Sequence, residues 1–300
     1  MIGASAAKDL HRVDIEKYYR AQIDAHSVDV LRDDASRQHS ETWFRDDTAD
    51  YWRHDRMRRE IEPLLDRNDH WITFGDGRYG TDAAWLMAKG QKVLCTDIQD
   101  TLLKIGHARG FIGDYRAANA EALPFTDGEF DWGLCKEAYH HMPRPPVAFY
   151  EMLRVVRKGL VLIEPAPRQA KNLWGSLTQA LLDRLHPVRP ENEFEESGNY
   201  VYKLSIADVR QMLLSSGLRA FAYKTISDCY IKGVEYEAPP GALKAACERN
   251  IRRRDLVLKL LGLHGSIMVC IVFKGAPVAA GALRAHGFTI VELPANPYQP

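Results

Sequence analysis

The feature that most constrains this chain is a strand, a glycine-rich turn, a helix and a second strand in immediate succession. The apolar residues 71–74 predict the first strand, and Gly75–Gly80 matches the pattern GxGxxG. A helix over 81–89 and a strand over 92–97 follow. A unit of this kind, close to 30 residues long, forms two parallel strands joined by a right-handed crossover.

The alternation of strands and helices continues beyond this unit. Further strands are predicted at 115–118, 130–135, 160–163, 218–223 and 266–274, and further helices at 100–108, 146–156 and 206–215. This order predicts an α/β fold with a Rossmann-like, seven-stranded, mostly parallel sheet and helices on both faces.

The domain organisation follows from changes in composition along the chain. We expect a helical N-terminal cap at 1–69 and a main domain at 70–275. An insertion at 166–204 follows the fifth strand, and a helical segment occupies 238–262. The proline-containing tail at 276–300 is expected to run over the surface.

Composition excludes several classes of function. Forty basic and forty acidic residues cancel, so the overall charge does not attract nucleic acid or anionic lipid. The longest apolar runs, such as 267–273, have the length of a strand and are too short to span a membrane. Five scattered cysteines lack metal-site spacing and predict buried thiols in a reducing cytoplasm. We therefore expect a soluble cytoplasmic protein, a monomer or homodimer, with no metal, nucleic-acid or membrane partner.

The glycine-rich turn and the end of the second strand together predict a cofactor site. Glycines allow the backbone to approach a ligand closely, and Asp97 can accept hydrogen bonds from both hydroxyls of a ribose. A dinucleotide and S-adenosylmethionine both fit this pair. The alternative is a tight turn followed by a solvated aspartate.

Four downstream segments occur in a characteristic order. They are NAEALPF at 119–125, DGEFD at 127–131, EAYHHM at 137–142 and EMLRVVRKG at 151–159. With these segments the chain resembles class I S-adenosylmethionine-dependent methyltransferases, in the branch similar to the quinone-biosynthesis methyltransferases. The resemblance is strong over residues 70–165 and extends to residues 200–275 only in general layout.

The resemblance implies which residues hold S-adenosylmethionine. They are Gly75, Asp76, Gly77, Gly80, Asp97, Ile98, Asn119, Ala120 and Lys136. Gly77 and its neighbours would hold the methionine part, Asp97 the ribose, and Asn119 the adenine. Lys136 and Glu137, at the end of the fourth strand, would border the methyl group.

Two positions depart from the family pattern. Thr73 stands where an acidic residue is usual, and Tyr79 stands where a small residue is usual. Asp76 could supply the missing negative charge.

Candidates for a catalytic base follow the fourth strand. His140, His141 and Glu137 are the candidates, and Glu164 at the next strand end is a further base or substrate anchor. Adjacent histidines point about 100° apart on a helix, so only one of the pair can face the pocket.

The N-terminal cap is rich in aromatic and basic side chains. Trp43, Phe44, Tyr51 and Trp52, together with Arg53, His54, Arg56, Arg58 and Arg59, would form a lid and a basic wall. The alternative is an amphipathic helix that packs its aromatics on the sheet edge.

Together these observations predict methyl transfer from S-adenosylmethionine to a hydroxyl of a small or sugar-like acceptor by in-line displacement. The alternatives are an N-methyltransferase acting on a small amine, an NAD-dependent oxidoreductase, and a non-catalytic relative that binds the cofactor.

Overall fold

A computed structural model describes residues 15–25, 32–187, 193–195, 198–238 and 241–298. In chain order, the helices α1–α10 are Ile15–Ile23, Asp34–Thr42, Ala49–Arg59, Gly77–Ala88, Thr101–Ala108, Pro145–Val155, Leu173–Leu185, Ile206–Ser215, Ala242–Leu261 and Ala280–Ala285. The strands β1–β8 are His70–Phe74, Lys92–Asp97, Tyr115–Ala117, Phe130–Lys136, Val156–Pro165, Ala220–Ile226, Ile267–Phe273 and Thr289–Glu292.

All eight strands form one sheet in the order β3-β2-β1-β4-β5-β7-β6-β8. Strands β1 to β5 pair in parallel, whereas β7 is antiparallel to both β5 and β6, and β8 is antiparallel to β6. Strands β4 and β7 are buried along their whole length. Burial of this kind requires cover on both faces of the sheet, which the helices provide.

The order of the strands creates a crevice at one edge of the sheet. From β1 the chain proceeds outward to β2 and β3, and it then returns to place β4 on the other side of β1. The connections that leave β1 and β4 therefore diverge. In open α/β sheets ligands bind at such a switch point, beyond the carboxyl ends of the strands.

The predicted α/β class, the mostly parallel Rossmann-like sheet and the helices on both faces are confirmed. The sheet has eight strands instead of seven. The tail is mostly exposed, but it is not irregular: α10 and β8 lie within it, and β8 pairs with β6. Leu283, Phe288 and Leu293 of this segment are buried. The strand covers the edge of β6, which would otherwise expose unpaired backbone groups.

The N-terminal region contains the helices α1, α2 and α3, and its connection to the sheet is partly ionic. Arg58 donates a hydrogen bond from Nε to Asp82 Oδ1 at 2.7 Å, and Trp85 Nε1 donates to Asp55 Oδ1 at 2.9 Å. Both contacts join α3 to α4. The division of the chain at residue 69 stays a prediction. Within the described ranges, no helix combines the length and the apolar character needed to cross a bilayer.

Gly159 in β5 provides a test of the packing between strands. A Cβ atom at this position would lie 2.2 Å from the carbonyl oxygen of Val272 and 2.5 Å from the indole of Trp132. We expect Gly159→Ala to lower the free energy of unfolding by about 3 kcal/mol, because backbone and a buried ring cannot both move away. Chemical denaturation measures this change.

Gly281→Ala in α10 is the matched control, because a Cβ atom at this position would have no heavy atom within 4 Å. The control should change the free energy of unfolding by less than about 1 kcal/mol. Equal effects of the two substitutions would contradict the close packing at Gly159.

Candidate active site

A cavity of about 280 Å³ opens at the carboxyl ends of β1, β2 and β4. Most of the predicted site residues line it, namely Gly75, Asp76, Gly77, Asp97, Ile98, Asn119, Ala120, Lys136, Glu137 and His141. Gly80 and His140 are not among the lining residues. The topology thus brings together predicted residues that lie up to 66 positions apart in the sequence, from Gly75 to His141.

The glycine-rich turn is held in an unusual conformation. Gly75, Arg78, Tyr79 and Gly80 all have positive φ, at 65°, 46°, 76° and 81°. For Arg78 and Tyr79 this left-handed conformation is costly, and it persists only where the surroundings enforce it. Gly77 lets the turn lie close to the end of β2, since a Cβ there would lie 3.3 Å from Asp97 Oδ2.

The structure corrects the prediction for Gly80 and explains the departure at Tyr79. A Cβ on Gly80 would lie 2.8 Å from Ile112 and 2.9 Å from Cys95, so this glycine serves packing under the turn. Tyr79 is buried and packs with Leu102 and Phe44, away from the cavity. The large side chain at this position therefore does not occupy cofactor space.

Asp76 lines the cavity and also caps the helix that follows the turn. Its carboxylate accepts hydrogen bonds from the backbone N–H groups of Asp82 at 3.0 Å and Ala83 at 2.7 Å. Burial, reinforced by the nearby Asp82 carboxylate, raises the pKa of Asp76 to about 7. Thr73 is buried below the cavity and is not part of its wall.

Asp97 ends β2 with its carboxylate at the cavity wall. Oδ1 accepts a hydrogen bond from the backbone N–H of Gln99 at 3.2 Å. Burial raises the pKa of Asp97 to about 6, although backbone N–H groups partly offset this effect. The hydroxyls of a ribose would add the donors that a buried carboxylate requires, so the residues present fit the adenosyl group of S-adenosylmethionine.

Helix α1 closes the cavity from the N-terminal side. Tyr19 donates a hydrogen bond to Glu121 Oε2 at 2.7 Å, and Gln22 donates to Asn199 Oδ1 at 2.8 Å. Both α1 side chains line the cavity. Sequence reasoning missed these two residues, because nothing in the local pattern of a polar helix indicates which distant loop it meets.

The aromatic residues of the predicted lid separate into two groups. Trp43 lines the cavity, and the guanidinium of Arg78 lies over its ring at 4.9 Å from the centroid. Phe44 stacks on Phe111 at 4.1 Å between ring centroids, and Trp52 packs against the segment around Val234. Of the four predicted lid aromatics, only Trp43 therefore lies at the cavity. Phe44 and Trp52 pack against other parts of the protein instead.

A compact charged cluster forms where β4 ends. Lys136 Nζ donates hydrogen bonds to Glu137 Oε2 at 2.6 Å and to His54 Nδ1 at 3.0 Å. Although burial opposes the change, Lys136 holds the pKa of Glu137 well below its ordinary value. Glu137 adopts a φ of 49°, which turns the backbone at the strand end.

His54 reaches this cluster from α3, whereas the sequence predicts it only as part of a general basic wall. Burial, together with the positive charge of Lys136, lowers the pKa of His54. The imidazole is therefore neutral at pH 7. Nδ1 of His54 also lies 3.3 Å from Glu137 Oε2, so the ring contacts both charged groups of the cluster.

The two adjacent histidines have different surroundings. His140 is buried, and its Nδ1 lies 2.6 Å from Glu164 Oε2. Although burial favours the neutral ring, Glu164 raises the pKa of His140. Glu164 also accepts hydrogen bonds from the backbone N–H groups of Ala138 and Tyr139, both at 3.0 Å. This pair orders the loop after β4, which does not support a catalytic role for His140 or for Glu164.

His141 instead lies in the cavity wall. Its Nδ1 is 2.8 Å from Glu195 Oε2, and the hydrogen bond from His141 lowers the pKa of Glu195 to about 2. Donor atoms of His140, His141 and Glu195 lie within 4.8 Å of one another, a spacing that could hold a metal ion. Because Nδ1 of His140 already contacts Glu164, only Nε2 of His140 could bind that ion.

Comparison with known proteins identifies the central part of the chain. Residues 73–163 match the family model described as a methyltransferase domain. They include the turn, the Asp97 strand end and the loop after β4. The match supports methyl transfer with S-adenosylmethionine as the cofactor. The chain is similar to the methyltransferases of quinone biosynthesis.

Several relatives illustrate the similarity. The ubiquinone/menaquinone biosynthesis C-methyltransferase UbiE of Shewanella sp. (strain ANA-3) is 25% identical over 169 residues, which cover 51% of this chain and 67% of that protein. The demethylmenaquinone methyltransferase of Clavibacter sepedonicus is 25% identical over 194 residues, covering 63% and 69%. A solved Thermotoga maritima structure, described as a SAM-dependent methyltransferase and possible histamine N-methyltransferase, is 15% identical, with a TM-score of 0.47 and coverage of 78% and 94%.

The raised pKa of Asp97 predicts how cofactor binding depends on pH. Ribose hydroxyls donate most strongly to the ionised carboxylate, so affinity should fall as the pH decreases below about 6. The loss should approach about tenfold per pH unit. Calorimetric titration with S-adenosylhomocysteine between pH 8 and pH 5 measures it.

Asp97→Asn is the matched variant for this titration. Asp76 titrates near pH 7 and is present in both proteins, so the difference between the two pH curves isolates Asp97. Parallel curves for the two proteins would show that Asp97 does not hold the ribose.

The cluster at the end of β4 predicts a shift in the titration of His54. Lys136→Met removes the cation that disfavours the imidazolium, while Glu137 and Asp50 continue to favour it. The pKa of His54 should therefore rise, which the NMR signal of its Cε1–H reports against pH.

Lys92→Met is the control for this substitution, because burial and Lys92 lower the pKa of His70 in the same way. It should raise the pKa of His70 and leave that of His54 unchanged. An unchanged His54 titration in Lys136→Met would contradict the contact between Lys136 and His54.

Proposed function

We propose that this chain transfers a methyl group to a hydroxyl oxygen of a small-molecule acceptor, with His141 as the general base. The position of His141 in the cavity wall, held by Glu195, is the observation that supports the proposal most directly. A base must lie within reach of the proton that it removes, and His141 meets this condition for an acceptor bound in the cavity.

The contact with Glu195 determines which ring nitrogen acts. Nδ1–H donates to the Glu195 carboxylate at 2.8 Å, so Nε2 of the neutral ring is the basic nitrogen. The hydrogen bond from His141 lowers the pKa of Glu195 to about 2, and Glu195 is therefore ionised at neutral pH. An ionised carboxylate stabilises the imidazolium that forms when His141 takes a proton.

S-Adenosylmethionine, held by Asp97 and the glycine-rich turn, would supply an electrophilic methyl group on a positively charged sulfur. On transfer of that group to the acceptor oxygen, the carbon–sulfur bond would break, S-adenosylhomocysteine would leave, and His141 Nε2 would take the hydroxyl proton. Most of the acceleration comes from alignment, because the displacement requires the two reactants in line.

The charged cluster at the end of β4 sets the potential at the proposed methyl position. Lys136 alone would repel a sulfonium, but Glu137 lies 2.6 Å from its Nζ and offsets the charge. The neutral His54 adds no positive charge at pH 7. The resulting wall accepts both a cationic cofactor and a polar acceptor.

Helix α1 borders the cavity on one side. Tyr19 and Gln22 of this helix narrow the space beside the proposed acceptor position. Exclusion of water from the reacting groups favours transfer over side reactions. A single ring or a sugar is the acceptor size that we propose.

A second candidate is methylation of a ring carbon that bears a hydroxyl group nearby. It is favoured by the relatives named C-methyltransferases of ubiquinone and menaquinone biosynthesis. Removal of the hydroxyl proton by His141 would increase the electron density on such a ring. Nuclear magnetic resonance of the product separates the two candidates, because O-methyl and C-methyl groups have distinct chemical shifts.

Two single substitutions test the assignment of roles. We expect His141→Ala to lower kcat by about 100-fold or more, as for loss of a general base, with little change in cofactor affinity. Asp97→Ala should instead weaken cofactor binding. Production of S-adenosylhomocysteine with a panel of phenols, hydroquinones and sugars measures the first effect, and calorimetry measures the second.

The control substitution is His186→Ala, because His186 is an exposed histidine at the end of α7 that does not line the cavity. His186→Ala should leave both kcat and the affinity for the cofactor unchanged. If His141→Ala retains full kcat, the base assignment fails. Transfer to an amine would then be favoured, since a neutral amine needs no dedicated base.

A further inference from the structure

Helix α7 presents large apolar side chains to solvent, whereas a helix on a protein core turns such side chains inward. Gly175 and Thr178 are buried against the protein. Four leucines and a tryptophan are 57–81% exposed on the outer side of the helix: Leu173, Trp174, Leu177, Leu181 and Leu185. Ser176, Ala180, Asp183 and Arg184 are also exposed. The four leucines recur at intervals of four residues, which places them in one stripe along the helix. Such a stripe is typical of a helix that binds an apolar partner.

The end of α9 extends the same apolar surface. Trp174 Nε1 donates a hydrogen bond to the carbonyl of Leu260 at 3.0 Å, and Thr178 Oγ1 donates to that of Leu261 at 2.6 Å. A Cβ on Gly175 would lie 2.0 Å from the carbonyl oxygen of Gly262, so glycine permits this close contact. Leu256, Val257 and Leu260 of α9 are 44–68% exposed. We name the outward apolar side chains of these two helices the α7–α9 ridge.

Basic side chains border the ridge on α9. The exposed residues Arg249, Arg252, Arg253, Arg254 and Lys259 face solvent, whereas Asp255 is the exposed acid within the same stretch. The overall charge of the chain is zero, so this local excess is a property of the surface and not of the composition. Basic side chains near an anionic membrane surface are attracted to it.

A second cavity lies beside the ridge and is also basic. It measures about 450 Å³, and its lining includes Arg56, Lys171, Lys224 and Lys259, with Asp255 as the acid. Ser227 also lines it, and its buried hydroxyl makes no hydrogen bond to the described residues. Lys224 Nζ already donates to Glu60 Oε2 at 2.6 Å, so a phosphate group would supply acceptors chiefly for Arg56, Lys171, Lys259 and Ser227.

The ridge and the methyltransferase cavity share one edge of the sheet. Helix α7 follows the carboxyl end of β5, and the chain after α9 enters β7 at the residue that pairs with Pro165. The carboxyl ends of β1, β2 and β4 line the proposed active site at this same edge. A surface bound to the ridge would therefore face the edge at which the active site opens.

We propose that the α7–α9 ridge docks this protein peripherally on an anionic phospholipid bilayer. The leucines enter the acyl boundary, and the basic residues of α9 and of the neighbouring cavity contact phosphate groups. A second copy of the chain is a less favourable partner for the ridge. A symmetric interface would bring the basic residues of both copies together, and these would repel one another. The expectation of no membrane contact rested on the zero overall charge and on the lack of a spanning segment. A surface helix with a local basic border needs neither a net positive charge nor a spanning segment.

Sedimentation with vesicles tests the proposal. The full chain should bind vesicles of phosphatidylcholine mixed with phosphatidylglycerol, bind vesicles of phosphatidylcholine alone more weakly, and lose affinity with added salt. Leu177→Ser combined with Leu181→Ser should reduce binding at least about tenfold. Arg252→Glu combined with Arg253→Glu should also reduce it and serves as an independent variant if the first is unstable.

The matched controls are Leu214→Ser and Arg210→Glu, which change exposed residues of α8, a helix outside the ridge. They should bind vesicles like the unmodified chain. All variants should retain cofactor affinity by calorimetry, so failure of docking is distinguishable from failure of the active-site assignments. Absence of binding to anionic vesicles, or equal binding by the leucine variant, overturns the proposal. A dimer in sedimentation velocity that the leucine variant abolishes, without vesicle binding, also overturns it.

Discussion

The divergence of the chain on the two sides of β1 is the constraint on which the site depends. It opens a crevice that side chains from β1, β2 and β4 can reach together. Asp76 then fixes the turn that borders the crevice by accepting backbone hydrogen bonds from Asp82 and Ala83, in the regular part of α4 after the turn. With the turn held in this way, Gly77 lies against Asp97, and the carboxylate faces the position expected for a ribose.

The electrostatics of the cavity also depend on residues outside the segment that matches the methyltransferase family model. Helix α3 contributes His54 to the pair formed by Lys136 and Glu137, so three ionisable groups from two regions share one small volume. Helix α1 closes the other side through Tyr19 and Gln22. The N-terminal helices therefore complete the wall of the site as well as packing on the sheet.

Local patterns predicted the features that depend on neighbouring residues. The βαβ unit, the turn at Gly75–Gly80 and the strand end at Asp97 all follow from spacing over fewer than 30 residues. The local pattern did not predict α10 and β8 in the tail, because prolines and short elements resemble a loop. Strand β8 forms only by pairing with the edge of β6. Likewise, the spacing of His140 and His141 predicted that only one of them faces the pocket. The contact with Glu164 buries His140, and the contact with Glu195 accompanies His141 in the cavity wall.

The sequence by itself determined the fold class, the position of the cofactor turn and the order of the family segments, since each depends on short-range periodicity and residue type. Only the tertiary structure decided which distant side chains enter the cavity, which histidine is buried, and which face of α7 is exposed. Those outcomes depend on contacts between residues far apart in the chain. Helix periodicity groups the leucines of α7 on one face, but it does not tell whether that face meets the core or the solvent.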